Sequence, residues 1–411
     1  MPLTIHRGTN QIGGSCVEIA TATTKILIDI GLPLDSKASE GNLNLYNPGI
    51  EGNIDAIFIS HYHLDHYGLL PLLDESIPVY VSEGTKNIFG INAIFLHQKE
   101  MKNLNVIKPL NEIRIKDISI IPYTVDHSAY DAMAFLIEAE GKRILYSGDI
   151  RLHGPKSKLY RLLPKEVDYM ILEGTNINNE VDNIKTEKEI EEEFLSIFRS
   201  TSNAINYVWC SGQNIDRLVA LYRACLKSKK IMVVDVYVAN VLKEIHGLNN
   251  KIPFLSSHDN MGVYYPKYVT NNLKNSGHWN YAISLEPNLY KVTPEMISTD
   301  PGKYVVVVRP SVLEFLKKCT SSNGNLITSL WKEYEKRDEN KPLFEWAKAK
   351  NYNLYYVHTS GHATLNELKE IVTTLKPKKI IPIHTEHKEK FKEHFTNTLV
   401  IEDCEPLLLL E

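Results

Sequence analysis

The chain has 411 residues, a length that predicts two or three domains with sizeable cores and excludes a peptide or disulfide mini-scaffold. Its 43% hydrophobic, 23% charged and 9% aromatic residues are those of an ordinary folded protein, far from the signature of disorder. With 46 basic against 50 acidic residues the net charge is -4, which supplies no global attraction to nucleic acid or to an anionic membrane, so any polyanion must be held locally.

From the amino terminus, LTIHRG, SCVEIATA and KILIDIG read as short strands punctuated by Gly13, Gly14, Gly31 and Pro33. AIFIS runs into a histidine-rich loop, and VYVS offers Ser82 as the cap of a helix over about 84–98. Strands follow at EIRI, SIIPYTV, MAFLIEA, RILYSGD and DYMILEG. After Asn176 the texture changes to a glutamate-rich helix start and then three strand–helix alternations. These are INYVWC with SGQNIDRLVALYRACLK, KIMVVDV with VANVLKEI, and KYVVVV with PSVLEFLKK, each the length of a βα unit in a parallel sheet. Near Asn351, LYYVHTSG introduces a helix over about 364–375, and KKIIPIH introduces one near Lys388. The whole pattern predicts an α/β protein. Cys16, Cys210, Cys225, Cys319 and Cys404 are scattered, odd in number and never spaced C-x-x-C, which argues against a disulfide framework and against a thiolate zinc site. No apolar run reaches the ~20 residues of a membrane span and none at the amino terminus resembles a signal peptide; the expected setting is a reduced cytoplasm, with no membrane.

The 15 histidines deserve chemical scrutiny, because histidine is the commonest metal ligand. Residues Ser60 to His66 read SHYHLDH after a buried strand. In H-x-H-x-D-H the first two histidines, His61 and His63, point to one side of an extended segment, while Asp65 and His66 turn toward a second position. That suits two metal ions a few ångströms apart. At this histidine abundance the spacing arises by chance on the order of one time in a thousand, which separates it from a polar loop with incidental histidines. VDHSAYD places His127 after a strand and RILYSGDIR places Asp149 after another. Each alone is an ordinary turn residue. Together with His61 to His66 they are candidate ligands, and the two oxygens of Asp149 could bridge two ions.

In this order the residues resemble the metallo-β-lactamase fold hydrolases. The resemblance begins at LIDIG, whose Asp29 matches a family aspartate that supports the ligand loop, and runs through His61, His63, Asp65, His66, His127 and Asp149. The stretch VHTSGHATLNELKEIVTTLKPKKIIPIHTEHKEKF is similar to the ribonuclease J group of the β-CASP branch. The resemblance implies a metallo-β-lactamase αββα sandwich built from residues 1–176 and 351–411, with a parallel-sheet β-CASP domain, residues 177–350, inserted between them. Three branch motifs fall on Glu173 in MILEGT, His362 in S-G-H and His384 after I-P-I. Thr385 and Glu386 stand where ribonuclease J relatives generally have Gly-Glu, a departure in the loop rather than in the ligand. The implied centre holds two zinc ions, one on His61, His63, His127 and Asp149, the other on Asp65, His66, Asp149 and His384. The histidine-rich set favours zinc over manganese. Residues His358, Thr359, Ser360, Gly361 and His362 form a loop before a helix, whose free N–H groups could hold a phosphate; the competing reading is a plain cap by Ser360 or Thr364.

The implied activity is hydrolysis of RNA phosphodiester bonds, as an endonuclease, a 5′-3′ exonuclease or both. Asp149 would act at the metals, and His362 would serve as general acid with its imidazole held by Glu173. A histidine at the position of His384 marks RNA-cleaving rather than DNA-repair members of the family. Arg217, Arg223, Lys227, Lys229 and Lys230 are candidates for local RNA contacts, set against their reading as a solvated helix face, and the loop Ser211 to Asn214 is a weaker phosphate candidate. The alternatives are a metallo-hydrolase of DNA or of a small ester or thioester, and a non-catalytic RNA-binding subunit. The small-molecule enzymes lack the insertion, and a decayed subunit would have lost ligands that are all present here. Only 27 residues follow His384, too few for the further domain usual in ribonuclease J, so a short form is expected that acts as a homodimer or with a protein partner that selects substrate.

Overall fold

In chain order the strands are β1 (Pro2–Arg7), β2 (Cys16–Ala20), β3 (Lys25–Ile30), β4 (Ala56–Phe58), β5 (Val79–Val81), β6 (Leu104–Val106), β7 (Ile113–Ile115), β8 (Ile118–Thr124), β9 (Met133–Ala139), β10 (Lys142–Tyr146) and β11 (Tyr169–Glu173). They continue with β12 (Ile205–Trp209), β13 (Ile231–Asp235), β14 (Met261–Tyr264), β15 (Tyr304–Val308), β16 (Gly324–Thr328), β17 (Asn353–Tyr356), β18 (Lys379–Ile383) and β19 (Pro406–Leu408). The computed structural model describes residues 1–34, 36, 46–179, 184–254, 260–285 and 290–409. They form two units, Met1–Phe89 with Lys99–Ile184 and Gly361–Glu411, and Gly90–Gln98 with Lys185–Ser360.

The first unit stacks two mixed sheets, with strand orders β19-β1-β2-β3-β4-β5-β6 and β18-β11-β10-β9-β8-β7. Leu3, Ile5, Val17, Ile28 and Phe58 of one sheet meet Ile120, Phe135, Ile137, Ile144 and Ile171 of the other in a single apolar core. Leu136, Leu145 and Met170 point the other way, where Leu368, Ile371 and Leu375 of the helix Leu365–Leu375 cover them. That helix shows the i, i+3, i+7 apolar stripe its role requires, and Thr364 with Glu367 closes its start in a capping box. This is the expected sandwich. Its parallel strand pairs set the site: β10, β11 and β18 run side by side with Tyr146 opposite Ile171 and Glu173 opposite Ile383, so their carboxyl ends deliver Asp149, Glu173 and His384 to one edge.

The second unit is an all-parallel six-stranded sheet in the order β14-β13-β15-β12-β16-β17. Its central strand YVVVV is buried throughout, as a strand covered on both faces must be. The expected βα alternation is present, except that PSVLEFLKK forms only a 3-10 turn, Pro310–Val312, and a four-residue helix, Leu313–Leu316.

The boundaries differ from 176/177 and 350/351 for identifiable reasons. Asn176 bridges to Thr364 and its amide donates to the carbonyls of His362 and Ala363, so the chain stays with the first unit through Ile184. LYYV, expected to open the returning segment, is instead β17, the edge of the second sheet, paired with β16 and tied by Asn353 Nδ2 to Asn325 Oδ1 at 3.0 Å. Gly90–Gln98 also joins the second unit, where Asn92 accepts a hydrogen bond from Gln213 at 2.7 Å. Among the described residues no helix is long and apolar enough to cross a membrane.

Candidate metal centre

Asp29, near the end of β3, is fully buried in a left-handed backbone conformation, φ 57°. Its Oδ1 accepts from Ser60 N at 2.7 Å, and its Oδ2 accepts from Ser60 Oγ and Tyr146 OH and lies 2.7 Å from His66 Nδ1. A carboxylate so placed makes His66 Nδ1 the donor and turns Nε2 toward Asp149, 3.2 Å away. Burial disfavours the imidazolium, but the charges of Asp149, Asp29 and Asp65 outweigh it and hold His66 well above the ordinary histidine range. Gly31 follows immediately, and a Cβ there would stand 1.7 Å from the carbonyl oxygen of Asp65, so only glycine lets the ligand loop close.

The predicted ligands come together. His63 Nδ1 lies 3.0 Å from His61 Nε2 and 3.2 Å from His127 Nε2, and those two nitrogens are 3.7 and 3.8 Å from Asp149 Oδ2. On the other side, His384 Nε2 is 3.2 Å from Asp65 Oδ2 and 3.9 Å from Asp149 Oδ1, with His384 held at φ 54°. Burial pushes His61 and His127 well below their usual range and His63 down to about 4, which leaves neutral imidazoles, the form that binds metal. Burial acts to raise the Asp149 carboxyl, yet the imidazoles of His384, His66 and His362 keep it well below the usual carboxylate range. Asp149 Oδ1 and His66 Nε2 are buried without a hydrogen bond. Imidazole nitrogens and carboxylate oxygens that converge this closely fit divalent cations, with His61, His63 and His127 around one position, Asp65, His66 and His384 around a second, and Asp149 beside both.

Glu173 and His362 form the open side of the cluster. Glu173 Oε1 accepts from Ala363 N at 3.1 Å and lies 3.4 Å from His362 Nδ1. The His362 side chain is 21% exposed, against 0–2% for those of His61, His66, His127 and His384, and with half-buried His63 it is on the solvent side of the cluster. Burial lowers its basicity, but Asp149 and Glu173 outweigh that and raise it to about 9. Gly361 acts on a ligand: its carbonyl takes the Nδ1 proton of His127 at 2.6 Å, which frees Nε2, and a Cβ there would come within 3.0 Å of that ring.

Several of the expected contact residues have other partners in the fold. Thr359 is buried within the second unit, its hydroxyl bonded to Lys185 O and its carbonyl to Arg217 Nη2, so it is committed to packing rather than to a phosphate. His358 and Ser360 are half-buried in the same unit, and the helix start that follows is capped by Thr364. Arg217 is fully buried on Glu187, Lys230 donates to the carbonyls of Ser202 and Gly302, and Arg223 and Lys227 face Glu191. Asn214 of the Ser211 to Asn214 loop caps its own helix. Other residues gain roles that motif spacing does not reveal. Asp126 and Arg151, both buried, pair at 3.0 Å and tie the His127 loop to the Asp149 loop. The hydroxyl of Thr175 lies between His362 and His384.

Fold and donor set together define a metal-dependent hydrolase of the metallo-β-lactamase type. Residues 24–190 match the family model described as beta-lactamase superfamily domain, and residues 349–402 match the Zn-dependent metallo-hydrolase RNA specificity domain. The chain is 25% identical to a protein named "Probable RNase MJ4" from Methanocaldococcus jannaschii, over 92% of this chain and 91% of that one. It is 24% identical to ribonuclease J of Helicobacter pylori, over 92% of this chain and 55% of that protein. A crystal structure of a protein of unknown function from Enterococcus faecalis V583 shares the fold, with a TM-score of 0.78 at 21% identity and 99% of each chain covered. The two domain matches and these relatives together support a metallo-β-lactamase-fold chain of the β-CASP type.

Proposed function

We propose that the protein is a zinc-dependent ribonuclease that hydrolyses RNA phosphodiester bonds at a two-metal centre. The observation that carries this reading is the convergence of His61, His63, His127, Asp65, His66, His384 and Asp149 on two adjoining positions, beside a titratable pair, Glu173 and His362, that is partly open to solvent. The match to an RNA specificity domain over 349–402, the segment that supplies His362 and His384, supports RNA as the polymer. When bound, the two zinc ions make hydroxide available near neutral pH and offset charge that develops on the phosphoryl oxygens. The residues do the rest. Asp149 lies beside both positions and would contribute a carboxylate oxygen to the ions held there. His362, anchored through Nδ1 beside Glu173, gives a proton to the leaving 3′ oxygen. Asp29 keeps His66 in the orientation the second position needs.

The test is incubation of the zinc-loaded protein and its His61→Ala variant with end-labelled RNA bearing 5′-monophosphate, 5′-triphosphate or 5′-hydroxyl ends, beside DNA of the same sequence. RNA should be cut by the parent protein alone, and DNA should survive. Equal cleavage of DNA, or no cleavage of any RNA, would overturn the proposal. A His362→Ala variant should lose cleavage while retaining its metal.

A further inference from the structure

Two residues beyond Glu173, Thr175 occupies a position that no metal or substrate role explains. Its hydroxyl oxygen lies 2.9 Å from His384 Nδ1, 3.1 Å from His362 Nδ1 and 3.4 Å from the His384 carbonyl oxygen. Its own N–H donates to Glu173 Oε2 at 2.9 Å, which fixes the turn. The two imidazoles it touches are nearly parallel, with ring centroids 5.2 Å apart and planes at 26°.

A hydroxyl has one hydrogen to donate and two lone pairs to accept with. The His384 carbonyl can only accept, so the Thr175 hydrogen points there. The oxygen is then left to accept from both imidazoles. The same assignment follows from the far side of His362, where Nδ1 also faces Glu173 Oε1, a carboxylate oxygen that accepts, at 3.4 Å. For His384, a proton on Nδ1 leaves Nε2 as a lone pair 3.2 Å from Asp65 Oδ2, as a metal ligand requires. The opposite wiring, with Thr175 donating to His384 Nδ1, would put the proton on Nε2 and close that ligand position.

We propose that Thr175 is a positioning residue that orients two imidazoles with one hydroxyl: it holds Nδ1–H on His384, so that Nε2 binds metal, and it accepts from Nδ1–H of His362, so that this ring is anchored at Nδ1 and its Nε2 is the atom from which the protonated ring releases a proton. The first half depends only on the metal centre, and the second rests on the ribonuclease reading. The hydroxyl thereby couples the metal ligand to the proton donor, and its loss should impair both together.

The experiment compares Thr175→Val, which keeps the shape, Thr175→Ala, which only deletes atoms, and Thr175→Ser, which keeps the hydroxyl. Three quantities are read: zinc affinity by competition with a chromophoric chelator, imidazole tautomers by 15N resonance of labelled histidines, and kcat and KM on RNA. Val and Ala should lower zinc affinity and kcat by about 10- to 100-fold, the range for residues that orient ligands, with KM little changed. The Nδ1–H signals of His362 and His384 should disperse in both, and Ser should restore all three quantities. Unchanged zinc affinity and tautomers in Val and Ala, or a Ser variant as impaired as Val, would overturn the proposal. Zinc affinity and tautomer are measured without RNA, so a parent protein that cuts nothing would defeat the ribonuclease reading while leaving this one to stand or fall by itself.

Discussion

Each unit contains a buried knot of ionisable side chains, and the two knots are built on opposite principles. In the second unit Arg217, fully buried, donates to both Glu187 oxygens at 3.1 and 3.3 Å, to Ser329 O at 3.1 Å and to Thr359 O at 3.3 Å. Donors and acceptors balance there, so the knot needs nothing from outside. In the first unit His61 and His127 turn Nε2 toward Asp149, His384 turns Nε2 toward Asp65, His63 Nδ1 lies against His61 and His127, and two buried atoms, Asp149 Oδ1 and His66 Nε2, make no hydrogen bond. That knot gathers ligand atoms that do not satisfy one another, an arrangement that a bound cation would complete. Donor–acceptor balance, and not burial or charge alone, separates a structural polar cluster from one built for a ligand.

The contrast can be broken experimentally. Arg217→Met should destabilise the protein by about 3–5 kcal/mol, because it strands the buried Glu187 carboxylate, while zinc content stays the same. Pairing it with Glu187→Leu should recover most of that loss in a denaturant melt; a second variant as unstable as the first would show that the knot does more than satisfy itself. Asp126→Asn should have a smaller effect of mixed kind. It weakens the clamp on Arg151 that holds the His127 and Asp149 loops together, so zinc affinity should fall by about 10- to 100-fold in a chelator titration, with a modest drop in melting temperature. Unchanged zinc affinity would move this pair to the structural side of the comparison. Lys227→Ala should have the least effect. Lys227 is paired with Glu191, so KM for RNA and its salt dependence should match the parent protein; a salt slope reduced by about one would reveal a phosphate contact.

The parts of this contrast that were legible in sequence are those with local spacing. H-x-H-x-D-H sits in one loop, and the strands ahead of His127, Asp149, Glu173 and His384 announce themselves by apolar runs that stop at a polar residue. What was not legible runs between distant segments. Thr175 meets His384, Asp126 meets Arg151 and Gly361 meets His127 through contacts that the sheet order creates and that no spacing encodes. Arg217 was misread for a different reason. In composition it belongs to a basic helix, but it shares a helical face with Leu221 and Ala224 at i+4 and i+7, the stripe that turns inward. β17 was assigned to the wrong unit because a short, half-exposed strand carries no mark of the sheet it will join.

The proposed identity of the ligand cluster around Asp149 is a two-metal centre. Its most direct test is the metal content of purified protein after zinc loading and desalting, by plasma emission spectrometry, for the parent chain and for Asp149→Ala. Two zinc ions per chain are expected in the parent, and loss of bound zinc together with loss of cleavage in the variant. A parent chain that retains no metal, or an Asp149→Ala variant that retains both ions, would contradict it.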